Sequence, residues 1–188
     1  MKKGTIVLIV IIALVVLIGG YVIGEHNSIV ELSETVDKKY SDIDAQLERR
    51  TDLIPNLVNT VKGYMKHEQD AIEKVTTARE NLVKAQTVEE KAAANTELTN
   101  ALNALFVIVE NYPDLKADTS FTGLMDELAG TENRIAQARK EYNGAVENYN
   151  KKIKKFPTKI IASMFNFDEK SYFEVTPGKE EVPVVNFD

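Results

Sequence analysis

The feature that most limits what this chain can become is an uncharged apolar run, Thr5-Ile-Val-Leu-Ile-Val-Ile-Ile-Ala-Leu-Val-Val-Leu-Ile-Gly-Gly-Tyr-Val-Ile23. It starts just after Lys2 and Lys3 and contains no strongly polar side chain. As an α-helix it measures about 28 Å at ~1.5 Å per residue, against about 30 Å of bilayer hydrocarbon. It is expected to be a transmembrane anchor. A cleaved secretory signal is the competing reading. Its apolar core would be only about 7–15 residues and would end at a small-x-small site. Tyr21, Val22 and Ile23 suit a signal peptidase poorly. A buried core helix fits less well still, because such a helix usually carries polar residues along one face.

Basic residues orient the anchor. Lys2 and Lys3 precede it, whereas Glu25, His26, Glu31 and Glu34 follow it, with no Lys or Arg before Lys38. The positive-inside rule then puts the N-terminus in the cytoplasm and the remainder outside a cell membrane crossed once. Two lysines carry that rule here, so the reverse orientation stays open. The chain lacks cysteine, which suits an exported domain without disulfides and a cytosolic one equally.

Composition narrows the function classes. Beyond the anchor remains enough chain for one domain with a core of its own. Charged residues are 28% and apolar residues 44%, a globular balance and not a disordered one. A net charge of −6 argues against a nucleic-acid partner, because phosphate contacts need a basic face. Nine glycines and five prolines leave the middle of the chain nearly unpunctuated, which favours long helices.

Apolar spacing places those helices. Ile29, Leu32, Val36, Tyr40, Ile43 and Leu47 form one helical stripe, predicting a first helix over 27–50. Only Gly24 separates it from the anchor, so the two could form one bent rod. Pro55 predicts the next boundary, with Asp52 available as a cap. A second helix over 56–84 carries Leu57, Val61, Tyr64, Met65, Ile72, Val75, Ala78 and Leu82 on one side. Thr87 followed by Glu90 reads as a capping box and starts a third helix, 88–111. Leu98, Leu102, Leu105, Phe106, Ile108 and Val109 make that helix apolar on more than one face, so it is expected to be the most buried. After a loop over 114–118, capped by Asp118 or Thr119, a long fourth helix runs to Phe156, where Pro157 stops it. Its aromatics Tyr142, Tyr149 and Phe156 stand seven apart, as a core or a helix–helix seam requires. A short apolar helix follows, with Ile160, Ile161, Met164, Phe165 and Phe167. The tail from Lys170 to Asp188 is expected to be extended or disordered, with only Tyr172-Phe173-Glu174-Val175 faintly strand-like.

The expected architecture is all-α: an N-terminal transmembrane helix, then an elongated antiparallel up-and-down bundle of four long helices plus a short C-terminal helix. The expected divisions are a basic N-terminus over 1–4, the anchor over 5–24, the bundle over 25–169 and the tail over 170–188.

Longer motifs carry a family resemblance. The stretch Asp44-Ala-Gln-Leu-Glu-Arg-Arg-Thr-Asp-Leu-Ile-Pro-Asn-Leu-Val-Asn-Thr-Val-Lys-Gly-Tyr-Met-Lys-His-Glu68 resembles the signature of the LemA family. So do Glu110-Asn-Tyr-Pro-Asp-Leu-Lys116, Glu132-Asn-Arg-Ile-Ala-Gln-Ala-Arg-Lys-Glu-Tyr-Asn143, and the pairs Tyr149-Asn150 and Phe156-Pro157. The resemblance extends from the anchor to Phe167. It implies a bacterial or archaeal membrane protein with an N-terminal anchor and a helical bundle, and no enzymatic activity established for the family. One relative's association with magnetosome membrane formation suggests a role in membrane organisation.

Candidate sites are few. In an up-and-down bundle the first and third connections share one end. There Arg49 and Arg50, at the helix end that also holds Asp52, could meet Glu110 or Asp114, with Glu132, Arg134 and Arg139 near later helix ends. These residues form either a partner surface or a network that fixes helix register; exposed pairs of this kind contribute only ~0–1 kcal/mol. His67-Glu68 is a poor metal pair in a chain with two histidines and no cysteine, so neither metal nor cofactor is expected. No nucleophile elbow, phosphate loop or dinucleotide fingerprint occurs, so no catalytic residue is assigned.

Lys151, Lys152, Lys154, Lys155 and Lys159 form a basic cluster beside the short apolar helix. Alternating helix directions would return this cluster to the bilayer. There the lysines could meet anionic lipid while Phe165 and Phe167 enter the interface. The alternative is that the short helix caps the bundle and the lysines are merely solvated. The expected function is a non-enzymatic membrane-anchored scaffold or membrane-organising protein. Its expected partners are the lipid bilayer and either a second copy (a homo-oligomer) or another membrane protein. An extracytoplasmic helical module that senses or delivers a ligand or peptide is the alternative.

Overall fold

A computed structural model describes residues 3–174. Every regular element among them is helical: α1 (Lys3–Tyr64), α2 (Gln69–Lys84), α3 (Val88–Val109), α4 (Pro113–Lys116), α5 (Thr119–Lys154) and α6 (Thr158–Met164). The all-α expectation holds, and no strand occurs among the described residues. The expected N-terminal lysine pair lies partly outside these residues, and most of the expected tail lies beyond Glu174.

The first helix departs most from the sequence reading. It continues through Gly24 and through Pro55 and ends only at Tyr64. The expected boundary at Pro55 is therefore wrong, and the true break is the short segment Met65–Glu68. Proline has no N–H to give the carbonyl four residues earlier, which here belongs to Thr51. Arg79 of α2 makes up the loss, its Nε donating to the Thr51 carbonyl at 2.8 Å. A substituted donor removes the main polar cost of a proline inside a helix.

Two compact units partition the chain. Among the described residues, one comprises 3–44 together with Ala136–Ser171, and the other comprises Ala45–Ile135 with 172–174. In the first unit Ile29, Val36 and Ile43 of α1 are buried at seven-residue intervals, and Tyr142, Val146, Tyr149 and Ile153 of α5 are buried at intervals of four, three and four. The Tyr40 and Tyr142 rings meet at 5.8 Å. Each fully buried side chain of this size is worth about 1.5–3 kcal/mol. Phe156, expected to extend the aromatic stripe, is instead 83% exposed. It lies past the end of α5, beyond Lys154, where the stripe's helical period no longer applies.

In the second unit, Leu57, Val61, Ile72, Val75, Ala78 and Leu82 are buried as the spacing predicted, whereas Tyr64 is exposed. The capping box of α3 forms as read: Thr87 Oγ1 accepts from the Glu90 N–H at 3.1 Å, and Glu90 Oε2 accepts from the Thr87 N–H at 3.1 Å. Asp118 caps α5 by accepting from the Ser120 and Phe121 N–H groups. The loop expected over 114–118 contains the short helix α4, which opens with Pro113 in the favoured first-turn position. Among the long helices α3 has the largest buried share, as expected: Ala92, Ala94, Asn95, Leu98, Leu102, Leu105 and Val109 are buried, although Val107 is 71% exposed.

Candidate functional site

Arg50 stands in the apolar stripe of α1. Counting by sevens, Ile43, Arg50 and Leu57 occupy equivalent places on that helix, and Arg50 is only 3% exposed. A buried guanidinium must be paired, because removing a charge from water is costly. Glu132 of α5 places Oε2 2.6 Å from Arg50 Nη1. Asn95 of α3, also buried, accepts from the same nitrogen through Oδ1 at 2.6 Å. Burial pulls the guanidinium's pKa down, and the Glu132 charge opposes that pull.

This node joins α1, α3 and α5 through a single side chain. Of the expected ion-pair residues it brings together Arg50 and Glu132 only. Arg49 meets Glu127 at 2.6 Å, and Arg134 Nε donates to Gln46 Oε1 at 3.1 Å. Asp52, Asp114 and Arg139 are exposed. Glu110 pairs with Lys116 at 2.6 Å, so the expected meeting of Arg49 or Arg50 with Glu110 or Asp114 does not occur. The cause is the continuity of α1. Arg49 and Arg50 lie in its interior, and the residues at its end are others: the Tyr64 hydroxyl donates to Asp118 Oδ2 at 2.8 Å, and the Tyr112 hydroxyl donates to Glu68 Oε1 at 3.1 Å. The Phe121 N–H and then the Tyr64 hydroxyl hold the Asp118 carboxyl below its usual range.

A second constellation lies in the first unit, where α1 leaves its apolar section. Glu25 accepts from Thr158 Oγ1 at 2.9 Å and pairs with Lys152 Nζ at 2.8 Å. These contacts, Lys152 foremost, hold the Glu25 carboxyl below its usual range. The His26 ring meets Phe165 edge-on at 4.7 Å and Phe167 at 5.4 Å. The end of α5 and all of α6 are thereby fastened to the residues that follow the anchor. Of the five cluster lysines, Lys151 pairs with Glu147, Lys152 with Glu25, and Lys154 with Glu169 at 2.6 Å. Lys155 and Lys159 are exposed and make no ion pair among the described residues. Phe165 is exposed, whereas Phe167 is half-buried.

The sequence reading missed a strap formed by residues 168–171. Tyr149 Oη donates to the Asp168 carbonyl at 3.0 Å, and Tyr142 Oη donates to the Ser171 carbonyl at 2.8 Å. Asn150 exchanges two hydrogen bonds with the Lys170 backbone, each 2.9 Å. Lys170 Nζ pairs with Asp37 at 2.5 Å and lies 5.7 Å from the centre of the Tyr149 ring. The first residues of the tail expected to be extended or disordered are thus held against α5 without regular secondary structure, and Phe173 is 1% exposed. The signal was present in the sequence: two tyrosines and an asparagine on a buried stripe need polar partners that a leucine would not.

Open grooves also mark the surface. One of about 600 Å³ runs between α2 and α3 and is lined by Asp70, Glu73, Lys74 and Glu97, with Asn100 and Ala104. Among the described residues no group of three or more His, Cys, Asp and Glu side chains converges as a metal site.

Comparison with known proteins gives these features a lineage. The family model described as LemA family matches residues 39–187. Magnetosome protein MamQ 2 of Paramagnetospirillum magneticum is 25% identical over 186 residues, covering 85% of this chain and 68% of that protein. Magnetosome protein MamQ of Magnetospirillum gryphiswaldense is 26% identical over the same span and coverage. Protein LemA of Metamycoplasma hominis is 26% identical over 159 residues, covering 82% of this chain and 71% of the relative. The helix Lys3–Tyr64 is long and apolar enough to cross a membrane, and its most apolar window is wholly unburied. Together these findings fit a membrane-associated helical protein that crosses the bilayer once.

Proposed function

Because this chain belongs to the LemA family, we propose that it is a non-enzymatic scaffold, held in a membrane by α1, that organises the membrane or a partner through its helical part. The observation that carries this reading is α1 itself. Its first part is bare and apolar, and the same unbroken helix then carries a buried stripe. A binding surface built on such a helix is coupled directly to the bilayer. The kinship with magnetosome proteins supports a place at a membrane.

The antiparallel bundle is part of this proposal. Within the first unit Glu25 pairs with Lys152 and Lys39 with Glu141, so positions rising along α1 meet positions falling along α5. Within the second unit Gln46 meets Arg134 and Arg49 meets Glu127, in the same opposed sense. Such a ladder supports an up-and-down arrangement. The Arg50–Glu132–Asn95 node then acts as a register lock, as a lone polar residue does in an apolar seam. Arg49, Arg134 and Arg139 remain on the outside for a second copy or another membrane protein. The orientation in this proposal, supported by Lys2 and Lys3 ahead of the apolar run, has the N-terminus in the cytoplasm and the folded part outside.

Membrane fractionation tests the anchor. The full chain should stay with membranes through high-salt and carbonate washes, and a chain lacking Thr5–Ile23 should not. A mature protein whose N-terminus maps beyond Ile23 would defeat the reading. Cross-linking in native membranes should capture a second copy or a membrane protein, and protease accessibility on intact cells reports the orientation.

A further inference from the structure

Four large apolar side chains are exposed around the end of α5 and along α6: Phe156 at 83%, Ile160 and Met164 each at 58%, and Phe165. They surround Lys155 and Lys159, the two cluster lysines without an ion pair among the described residues. A soluble surface rarely gathers so many apolar groups in so short a stretch without a partner for them. What that partner is follows from where the patch is tied. Glu25, bonded to both Lys152 and Thr158, is the second residue after Ile23, the last residue of the apolar run. At ~1.5 Å of rise per residue the tie lies about 3 Å along α1 from that run, at the depth of the lipid headgroups. His26, packed on Phe165, fixes α6 at the same level.

We infer that α6 and the turn before it form an interfacial foot: Phe156, Ile160, Met164 and Phe165 enter the headgroup region of the leaflet from which α1 emerges, and Lys155 and Lys159 engage anionic lipid phosphates. The inference rests on the anchor reading above and extends it from a single spanning helix to a two-point seat. Charge and apolarity are complementary to the interface in the way amphipathic surface helices require. The patch is also tied, through His26 and Phe165, to the turn of α1 that directly follows the apolar run. Each exposed lysine next to an anionic surface strengthens binding, and salt weakens that contribution.

The chain has neither Trp nor Cys, so one introduced tryptophan is a clean reporter. Full-length Phe156→Trp, reconstituted in phosphatidylcholine–phosphatidylglycerol vesicles, should lose most of its emission when the acyl chains are brominated near the headgroup. Full-length Leu17→Trp, at an exposed position of the apolar run, reports the anchor separately. Quenching of Leu17→Trp without quenching of Phe156→Trp overturns the foot and leaves the anchor standing. Loss of quenching in both removes the anchor, and the foot with it. A blue-shifted Phe156→Trp emission that bromine does not touch and that vanishes on dilution assigns the patch to a second copy, which also overturns the proposal. Adding Lys155→Glu and Lys159→Glu to Phe156→Trp should raise the unquenched fraction several-fold in the anionic vesicles and little in pure phosphatidylcholine. An equal response in both lipids refutes the role given to the lysines.

Discussion

Arg50 occupies a place where a leucine would fit the neighbouring spacing, and its cost is offset by two partners, not by solvent. Replacing it with alanine leaves Asn95 without its donor and opens a cavity, so Arg50→Ala should destabilise the fold by about 3 kcal/mol. Arg50→Leu combined with Asn95→Leu and Glu132→Leu should recover most of that loss, because replacing every member of a buried polar network by apolar groups is often neutral. Urea titration in mild detergent, followed by circular dichroism, distinguishes the two. If the triple variant is no more stable than Arg50→Ala, the lock does more than hold register. The paired carboxylates predict a pH response. Lys152 and Thr158 lower the Glu25 pKa, Arg49 lowers that of Glu127, and Lys39 and Gln137 lower that of Glu141. A lowered folded-state pKa means that the unfolded chain binds the proton more readily. The stabilisation is therefore full above the unfolded value of about 4.3 and is lost as pH falls through the folded values. The thermal midpoint should drop below about pH 4.5, and Lys39→Met with Arg49→Met should flatten that drop.

At the scale of the element, α1 survives its proline because α2 lends it a donor. Arg79→Met should cost about 1–2 kcal/mol, by leaving the Thr51 carbonyl unsatisfied. In a Pro55→Ala background, where the backbone regains an N–H that can serve that carbonyl, the same change should cost clearly less; additive losses in a double-mutant cycle would contradict this account. The proline also shows why some of the fold was readable and some was not. The helical stripes, the Thr87–Glu90 box and the stop at Pro157 are local, so spacing alone revealed them. Pro55 misled because its compensation comes from Arg79, a residue distant in sequence that no local rule connects to Thr51. That single error displaced the end of α1 to Pro55, and with it the expected meeting of Arg50 with Glu110 or Asp114. The strap over 168–171 escaped for a similar reason. Extended backbone shows no periodicity, and only the unmet polar ends of Tyr142, Tyr149 and Asn150 hinted at it.

For the molecule as a whole, the proposed anchoring makes the bilayer the solvent that matters for the apolar run. A charge at the centre of that run, Ile12→Arg, should cost about 2.5–3.5 kcal/mol of insertion free energy and shift part of the protein out of the membrane fraction. Unchanged fractionation would mean that other parts of the chain hold it there. The helix that leaves the lipid has no break at Gly24: its backbone ladder runs on into the buried positions Ile29, Val36 and Ile43. A spanning helix answers a thinner bilayer by tilting. With no swivel at the exit, that lean cannot be dissipated in a joint. If α1 spans the bilayer as proposed, membrane thickness becomes a mechanical input to the helices packed on Ile29, Val36 and Ile43, with α1 as the lever.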